Sequence, residues 1–174
     1  IIGLFLTREI TERRAEDAVA AIPSQGGVAI LPHPWHSHRR VEDLARMVDA
    51  VEVWNSRCSG EENDRALALA QSIGAPQVAG SDAHFVSEMG NAVMELDCEG
   101  PLTPDKLLGA SRRWSVQTGR RSLLFWSQAI KAFKQRRASV AVGAARGLAG
   151  CAMRSLVGNA RWDRWKKTRQ TARQ

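Results

Sequence analysis

Asp82 and His84 have the residue types and spacing of a metal-binding pair. They lie in the segment Gly80-Ser81-Asp82-Ala83-His84, directly after a short apolar run. Alternate side chains of an extended segment point to the same side, so this carboxylate and imidazole can face one cation or two adjacent cations. The alternative is that Asp82 caps a following helix and that His84 hydrogen-bonds to it.

His33 follows another apolar run and is flanked by Pro32 and Pro34. Proline on both sides restricts the backbone that presents the imidazole. A single histidine is more often an ordinary loop or core residue, but two such loops at neighbouring strand ends favour a shared metal site. We therefore predict His33, Asp82 and His84 as metal ligands, with Asp82 and His84 also catalytic. Zinc, manganese and iron all accept mixed histidine and carboxylate ligands, so these residues do not choose the metal.

Other polar residues near the first of these loops are weaker candidates. His36 and His38 form a His-x-His pair, but Arg39 and Arg40 follow them directly. The arginine charges oppose a bound cation, which favours a solvated loop over a ligand role. Arg39 or Arg40 could bind a substrate phosphate through its planar guanidinium, although exposed arginines at a helix start are the simpler interpretation.

Asn55 and Arg57 follow a third apolar run, which also contains Glu52. Either residue can orient a water or an anion in a site at this strand end. The alternative for Asn55 is a turn residue that hydrogen-bonds its own backbone. We include Asn55, Arg57 and Arg39 as predicted substrate-binding residues.

Short β-like runs alternate with amphipathic helical patterns, which is typical of βα units and a parallel sheet. The predicted strands are Ile1 to Leu6, Val28 to Leu31, Ala50 to Trp54, Gln77 to Ala79 and Ala92 to Leu96. The predicted helices are Glu12 to Ile22, Val41 to Val48, Glu61 to Ile73 and Leu102 to Ser111. Since the C-terminal ends of parallel strands converge, we expect three loops to deliver their polar residues to one place.

Charge divides the chain into two parts. Residues 1–111 hold 9 Lys and Arg against 17 Asp and Glu, a net charge of −8, whereas residues 112–174 hold 16 against one, a net charge of +15. The composition is 44% hydrophobic and 25% charged, which excludes a disordered or fibrous protein. We predict an α/β domain over residues 1–111 and a basic α-helical extension over residues 112–174.

The extension is predicted to contain helices at about residues 122–138 and 140–170, with tryptophans among the basic residues. This pattern is typical of contact with an anionic membrane surface or with nucleic acid, and a solvated basic helix is an equal alternative. No apolar run approaches the roughly 18 residues of a membrane span, so no transmembrane helix is predicted. Three cysteines without Cys-x-x-Cys spacing indicate neither a disulfide framework nor a cysteine zinc site, which favours a reducing cytoplasm.

The order of these motifs resembles the polymerase and histidinol phosphatase (PHP) domain family over roughly residues 1–111. The residues that carry the resemblance are Gln25-Gly26-Gly27-Val28, Leu31-Pro32-His33-Pro34, Val51 to Arg57, Asn63 through Gly74, Ala79 to His84, and Glu88-Met89-Gly90. The resemblance implies a distorted β/α barrel, of which this chain holds the C-terminal part. It also implies two or three divalent metal ions at the strand ends, with His33, Asp82 and His84 among their ligands.

The family hydrolyses phosphate esters, including nucleotides and small phosphorylated metabolites, or proofreads within DNA polymerases. We therefore predict a metal-dependent phosphoesterase that acts through a metal-activated water. The alternative is a non-catalytic scaffold whose basic tail binds a membrane surface or nucleic acid. The family's opening His-x-His motif cannot be located, and the chain begins at Ile1 within an apolar run. We expect further sequence upstream that supplies the remaining ligands.

Overall fold

A computed structural model of the chain describes residues 1–36, 38–116, 126–131, 144–149 and 151–152. Its main sheet has the strand order β1-β2-β3-β4. The strands are β1 (Ile2–Leu4), β2 (Val28–Leu31), β3 (Ala50–Asn55) and β4 (Gln77–Gly80). β2, β3 and β4 are parallel, as predicted, whereas β1 pairs with β2 antiparallel.

Four α-helices lie in the same part of the chain. They are α1 (Ala15–Ala21), α2 (Val41–Ala45), α3 (Gly60–Ile73) and α4 (Pro104–Gly109). Ser59 caps α3 in a reciprocal capping box with Glu62, and Gly74 ends the helix in the left-handed conformation. Both signals can be read from the sequence, since the first is Ser-x-x-Glu and the second is a glycine after the last apolar residue.

A second sheet contains β5 (Ala92–Leu96) and β6 (Arg112–Val116), which pair antiparallel. β5 was predicted with these bounds, but as a member of the parallel sheet, and that placement is wrong. β6 was not predicted. The chain divides into two units with the boundary between residues 119 and 120, so β6 belongs to the first unit.

Apolar side chains cover both faces of the main sheet. One cluster joins β2 and β3 to α2 and α3, with Leu31, Val51 and Leu69 near its centre. Another joins the strands to α4 through Ile30 and Leu107. Burial on both faces is typical of parallel strands and explains their nearly continuous apolar sequence. The mixed α/β class is confirmed. The described strands form two open sheets, and the partial barrel of the PHP type stays a prediction.

The predicted basic helices lie mostly outside the described residues. Residues 126–131, 144–149 and 151–152 are helical. In the parts of the chain that are described, no helix is both long and apolar enough to cross a bilayer. The binding of this extension to a membrane surface or to nucleic acid stays a prediction.

Candidate metal centre

The predicted site residues follow the C-terminal ends of three adjacent parallel strands. His33 lies two residues beyond β2, Asn55 ends β3, and Asp82 lies two residues beyond β4. The sheet order β2-β3-β4 puts these ends side by side. The loops therefore lie along one edge of the sheet, as expected for parallel strands.

His33 has a backbone and a ring that fit a ligand role. Its φ of 29° lies in the left-handed region, and its backbone N–H donates to Glu52 Oε2 at 2.7 Å. The ring Nδ1 is buried and has no hydrogen-bond partner among the described residues. A buried polar atom without a partner costs about 1–3 kcal/mol, and a cation would satisfy it.

Glu52 connects the His33 loop to its neighbours. The carboxylate is buried within β3, and Oε2 also accepts a hydrogen bond from Asn55 Nδ2 at 3.0 Å. Burial raises the pKa of Glu52, the negative charge of Asp82 raises it further, and hydrogen bonds and His33 oppose the increase. Gly80 makes room for this carboxylate, because a Cβ at Gly80 would overlap Glu52 Oε1.

Asn55 is buried, and both ends of its amide are engaged. Nδ2 donates to Glu52, and Oδ1 accepts from the Arg57 backbone N–H at 2.9 Å. Asn63 from α3 accepts from the Asn55 backbone N–H and donates to its carbonyl. The bond from the Arg57 backbone N–H to Asn55 Oδ1 is the turn geometry given above as the alternative role of Asn55. It favours a role for Asn55 in positioning the neighbouring residues. Its role in substrate binding stays a prediction.

Arg57 and Glu88 form a buried ion pair beneath the loop after β4. Arg57 Nη1 donates to both Glu88 carboxylate oxygens, at 2.6 and 2.7 Å. Glu88 Oε2 also accepts from the backbone N–H groups of His84 and Phe85. The pair thereby holds the segment that carries His84. Phosphate binding by Arg57 stays a prediction, although this geometry uses its guanidinium within the protein.

Asp82 and His84 lie at the partly exposed end of this network. Asp82 has a φ of 48°, and His84 Nδ1 is 2.9 Å from the Asp82 backbone carbonyl and 3.7 Å from Asp82 Oδ1. When Nδ1–H donates to that carbonyl, the lone pair of Nε2 is free to bind a cation. The helix-capping alternative for Asp82 does not describe this loop, because Phe85 occupies the N-cap position of the short helical turn Val86–Glu88.

The remaining candidates lie around His33. The His33 ring centroid is 5.8 Å from that of His36 and 5.3 Å from that of His38. His36 is exposed, whereas His38 is half-buried, so the solvated loop predicted for this pair is wrong at His38. Burial, followed by the charge of His33, lowers the pKa of His38. Arg39 is exposed, and its predicted contact with substrate stays a prediction.

These contacts make one continuous network. It runs from His33 through Glu52, Asn55, Arg57 and Glu88 to His84 and Asp82. The sequence did not assign a role to Glu88 or Asn63, although both lie in motifs that carry the resemblance. Glu52 had a usable signal, since it is the only charged residue in the strand Ala50–Asn55.

Comparison with known protein families gives a match that covers about a third of the chain. Residues 60–115 match a protein-family model described as PHP-associated. The predicted resemblance is confirmed. This PHP-associated region begins at α3 and includes Asp82, His84 and Glu88, while His33 precedes it.

One curated relative is an uncharacterized protein from Methanocaldococcus jannaschii. It is 39% identical over 124 residues, which cover 62% of this chain and 52% of that protein. The chain thus spans about half the length of this relative. No solved structure gives a significant match.

Proposed function

We propose that this chain contributes one side of the metal centre of a phosphoesterase that hydrolyses a phosphorylated small molecule or nucleotide. The observation that carries the proposal is the buried Nδ1 of His33, which has no hydrogen-bond partner among the described residues. The backbone N–H of the same residue begins the hydrogen-bond network that reaches the Asp82–His84 segment. The PHP-associated match over residues 60–115 supports the same conclusion. The three free cysteines agree with the reducing cytoplasm in which we place the protein.

The donor set suits divalent zinc, manganese or iron. His33 and His84 offer imidazole nitrogen, and Asp82 offers carboxylate oxygen, a mixture that all three metals accept. When bound, the metal ions would provide Lewis acidity, lower the pKa of the attacking water and balance the phosphate charge. The family resemblance implies two or three metal ions. Their further ligands would be residues other than His33, Asp82 and His84.

The protein's own residues orient the ligands. The Glu52 carboxylate accepts from the His33 backbone N–H and fixes that loop. Glu88 accepts from the backbone N–H groups of His84 and Phe85 and fixes the loop that carries His84. In the tautomer with the proton on Nδ1, His84 donates to the Asp82 carbonyl and leaves Nε2 to bind the metal. Because a displacement of about 1 Å can cost about a hundredfold in rate, this rigid support is what such a reaction needs.

The test measures manganese and zinc content, together with phosphomonoester and phosphodiester hydrolysis, in the unaltered protein and in Asp82→Ala and His84→Ala. Asp97→Ala is the matched control, since Asp97 is an exposed aspartate beyond β5 in the second sheet. We expect both site variants to lose turnover and to bind less metal than the unaltered protein, while Asp97→Ala keeps its turnover and its full metal content. Unchanged metal content and turnover in both site variants would overturn the assignment.

A further inference from the structure

Three side chains with different metal-binding atoms meet next to the candidate metal centre. His36 comes from the loop after β2, Cys58 from the loop after β3, and Glu62 from the first turn of α3. One donor atom from each lies within 4.8 Å of the other two. His36 Nδ1 and Glu62 Oε1 are 3.4 Å apart.

The Glu62 carboxylate is held in place before any ligand arrives. Its Oε2 accepts from the backbone N–H and the hydroxyl of Ser59, at 2.8 and 2.9 Å. The other oxygen, Oε1, faces His36. The capping box therefore does two things, since it starts α3 and it presents one carboxylate oxygen in a fixed position.

The loop that carries His36 is anchored to the same helix. The guanidinium of Arg65, in α3, stacks 3.8 Å from the ring centroid of Trp35. Such a cation–π contact contributes about 0.5–2 kcal/mol and fixes the residue next to His36. Cys58 is buried, and its backbone N–H donates to the Asn55 carbonyl at 3.1 Å. All three donors thus project from backbone that is tied to the sheet edge or to α3.

Zinc geometry matches this arrangement after a small movement. Tetrahedral bonds of about 2.0–2.3 Å place neighbouring ligand atoms about 3.3–3.8 Å apart. Donor atoms that lie up to 4.8 Å apart must therefore approach by about 1 Å or less to bind one zinc ion. The His36 side chain is 48% exposed, so it can rotate towards the buried thiol without disturbing the core.

We propose that His36 Nδ1, Cys58 Sγ and Glu62 Oε1 form a site for one zinc ion, separate from the site of His33, Asp82 and His84. Thiolate and imidazole ligands select zinc over magnesium or calcium. Binding replaces the S–H bond of Cys58 with an S–Zn bond and releases one proton to solvent. Three protein ligands leave the fourth position open to water.

The new site lies beside the first one without sharing a ligand. The rings of His33 and His36 are 5.8 Å apart, and the His36 backbone N–H donates to the His33 carbonyl at 2.9 Å. Zinc at His36 therefore fixes the turn that presents His33. The sequence missed this site because Cys58 has no second cysteine at zinc-finger spacing.

The experiment titrates the full, reduced, metal-free chain with Co²⁺, because cobalt takes zinc's geometry and shows a thiolate-to-metal charge-transfer band. We expect the band to appear and to be lost when Zn²⁺ is added. Cys58→Ser should abolish the band, and the matched control Cys98→Ser should keep it. His36→Ala, at an exposed position, should weaken cobalt binding at least about tenfold even if Cys58→Ser perturbs folding.

Two results of the cobalt titration would contradict the proposed zinc site. Retention of the band in Cys58→Ser, or cobalt binding without any thiolate band, would overturn it. Asp82→Ala should leave the band intact, and its loss there would show that the two sites are not separate. If the unaltered chain shows no thiolate band but Asp82→Ala still loses turnover, the zinc site fails and the phosphoesterase proposal stands.

Discussion

Replacement of Arg57 by methionine tests whether its ion pair with Glu88 supports the candidate metal centre. The two side chains are 6% and 1% exposed, and Nη1 lies within 2.7 Å of both carboxylate oxygens. Methionine fills much of the same volume but removes the positive charge. The Glu88 carboxylate then keeps the backbone N–H groups of His84 and Phe85 as its partners.

The expected loss is large because a charge stays buried. Removal of one partner of a buried pair costs about 3–5 kcal/mol. For a urea m value of about 2 kcal/mol/M, the unfolding midpoint should fall by about 1.5–2.5 M. That loss is a substantial part of the roughly 5–15 kcal/mol that stabilises an ordinary domain.

Urea unfolding followed by circular dichroism is the assay, with an exposed pair as control. Arg113 and Glu95 are 84% and 73% exposed and lie 3.8 Å apart, so Arg113→Met should cost no more than about 1 kcal/mol. The double variant Arg57→Met with Glu88→Gln should recover part of the loss, since glutamine can still accept from the backbone. Two results would contradict this reasoning: Arg57→Met and Arg113→Met lower the free energy of unfolding by the same amount, or the double variant is no more stable than Arg57→Met. Either result would show that the buried Glu88 charge is not the cause of the destabilisation.

Two further predictions use matched pairs of positions. Gly80→Ala should destabilise the protein by about 1–3 kcal/mol, because the new Cβ would overlap the Glu52 carboxylate. At Gly60, a new Cβ meets nothing within 4 Å, so Gly60→Ala should be neutral or stabilising by up to about 1 kcal/mol. Thermal unfolding of both variants measures this, and equal destabilisation would contradict it. Burial and nearby carboxylates raise the pKa of Cys58 to about 12 in the metal-free protein, so iodoacetamide at about pH 8 should modify Cys98 well before Cys58. Peptide mass spectrometry checks the order, and equal rates in the folded protein would contradict it.

The strands of the main sheet could be predicted because their sequences are apolar and β-branched. Val28–Leu31 is buried at every residue and was predicted with its observed bounds. β6 was missed because most of its side chains are exposed, so Arg112–Val116 shows no apolar alternation. Its pairing with β5 depends on tertiary contact, which local patterns do not encode.

The sequence singled out residues at both ends of the hydrogen-bond network, and Asn55 and Arg57 in its middle, but it did not predict the contacts that join them. His33 and Asp82 could be singled out because each is a possible metal ligand that closely follows an apolar run, and such a run predicts a strand. The Arg57–Glu88 pair joins residues 31 positions apart, and the sequence contains no signal for that pairing. The cluster of His36, Cys58 and Glu62 was hidden in a similar way, because His36 comes from the loop after β2, far in the sequence from the other two donors.

His33 and Asp82 both occupy left-handed backbone, with φ values of 29° and 48°. A residue with a Cβ pays about 1–2 kcal/mol for that conformation, and glycine avoids the cost. Glycine at either position would therefore make a sturdier polypeptide that binds metal less well. Selection of variants for thermal stability alone will therefore tend to replace His33 and Asp82 by glycine. Such a selection must also screen for metal binding.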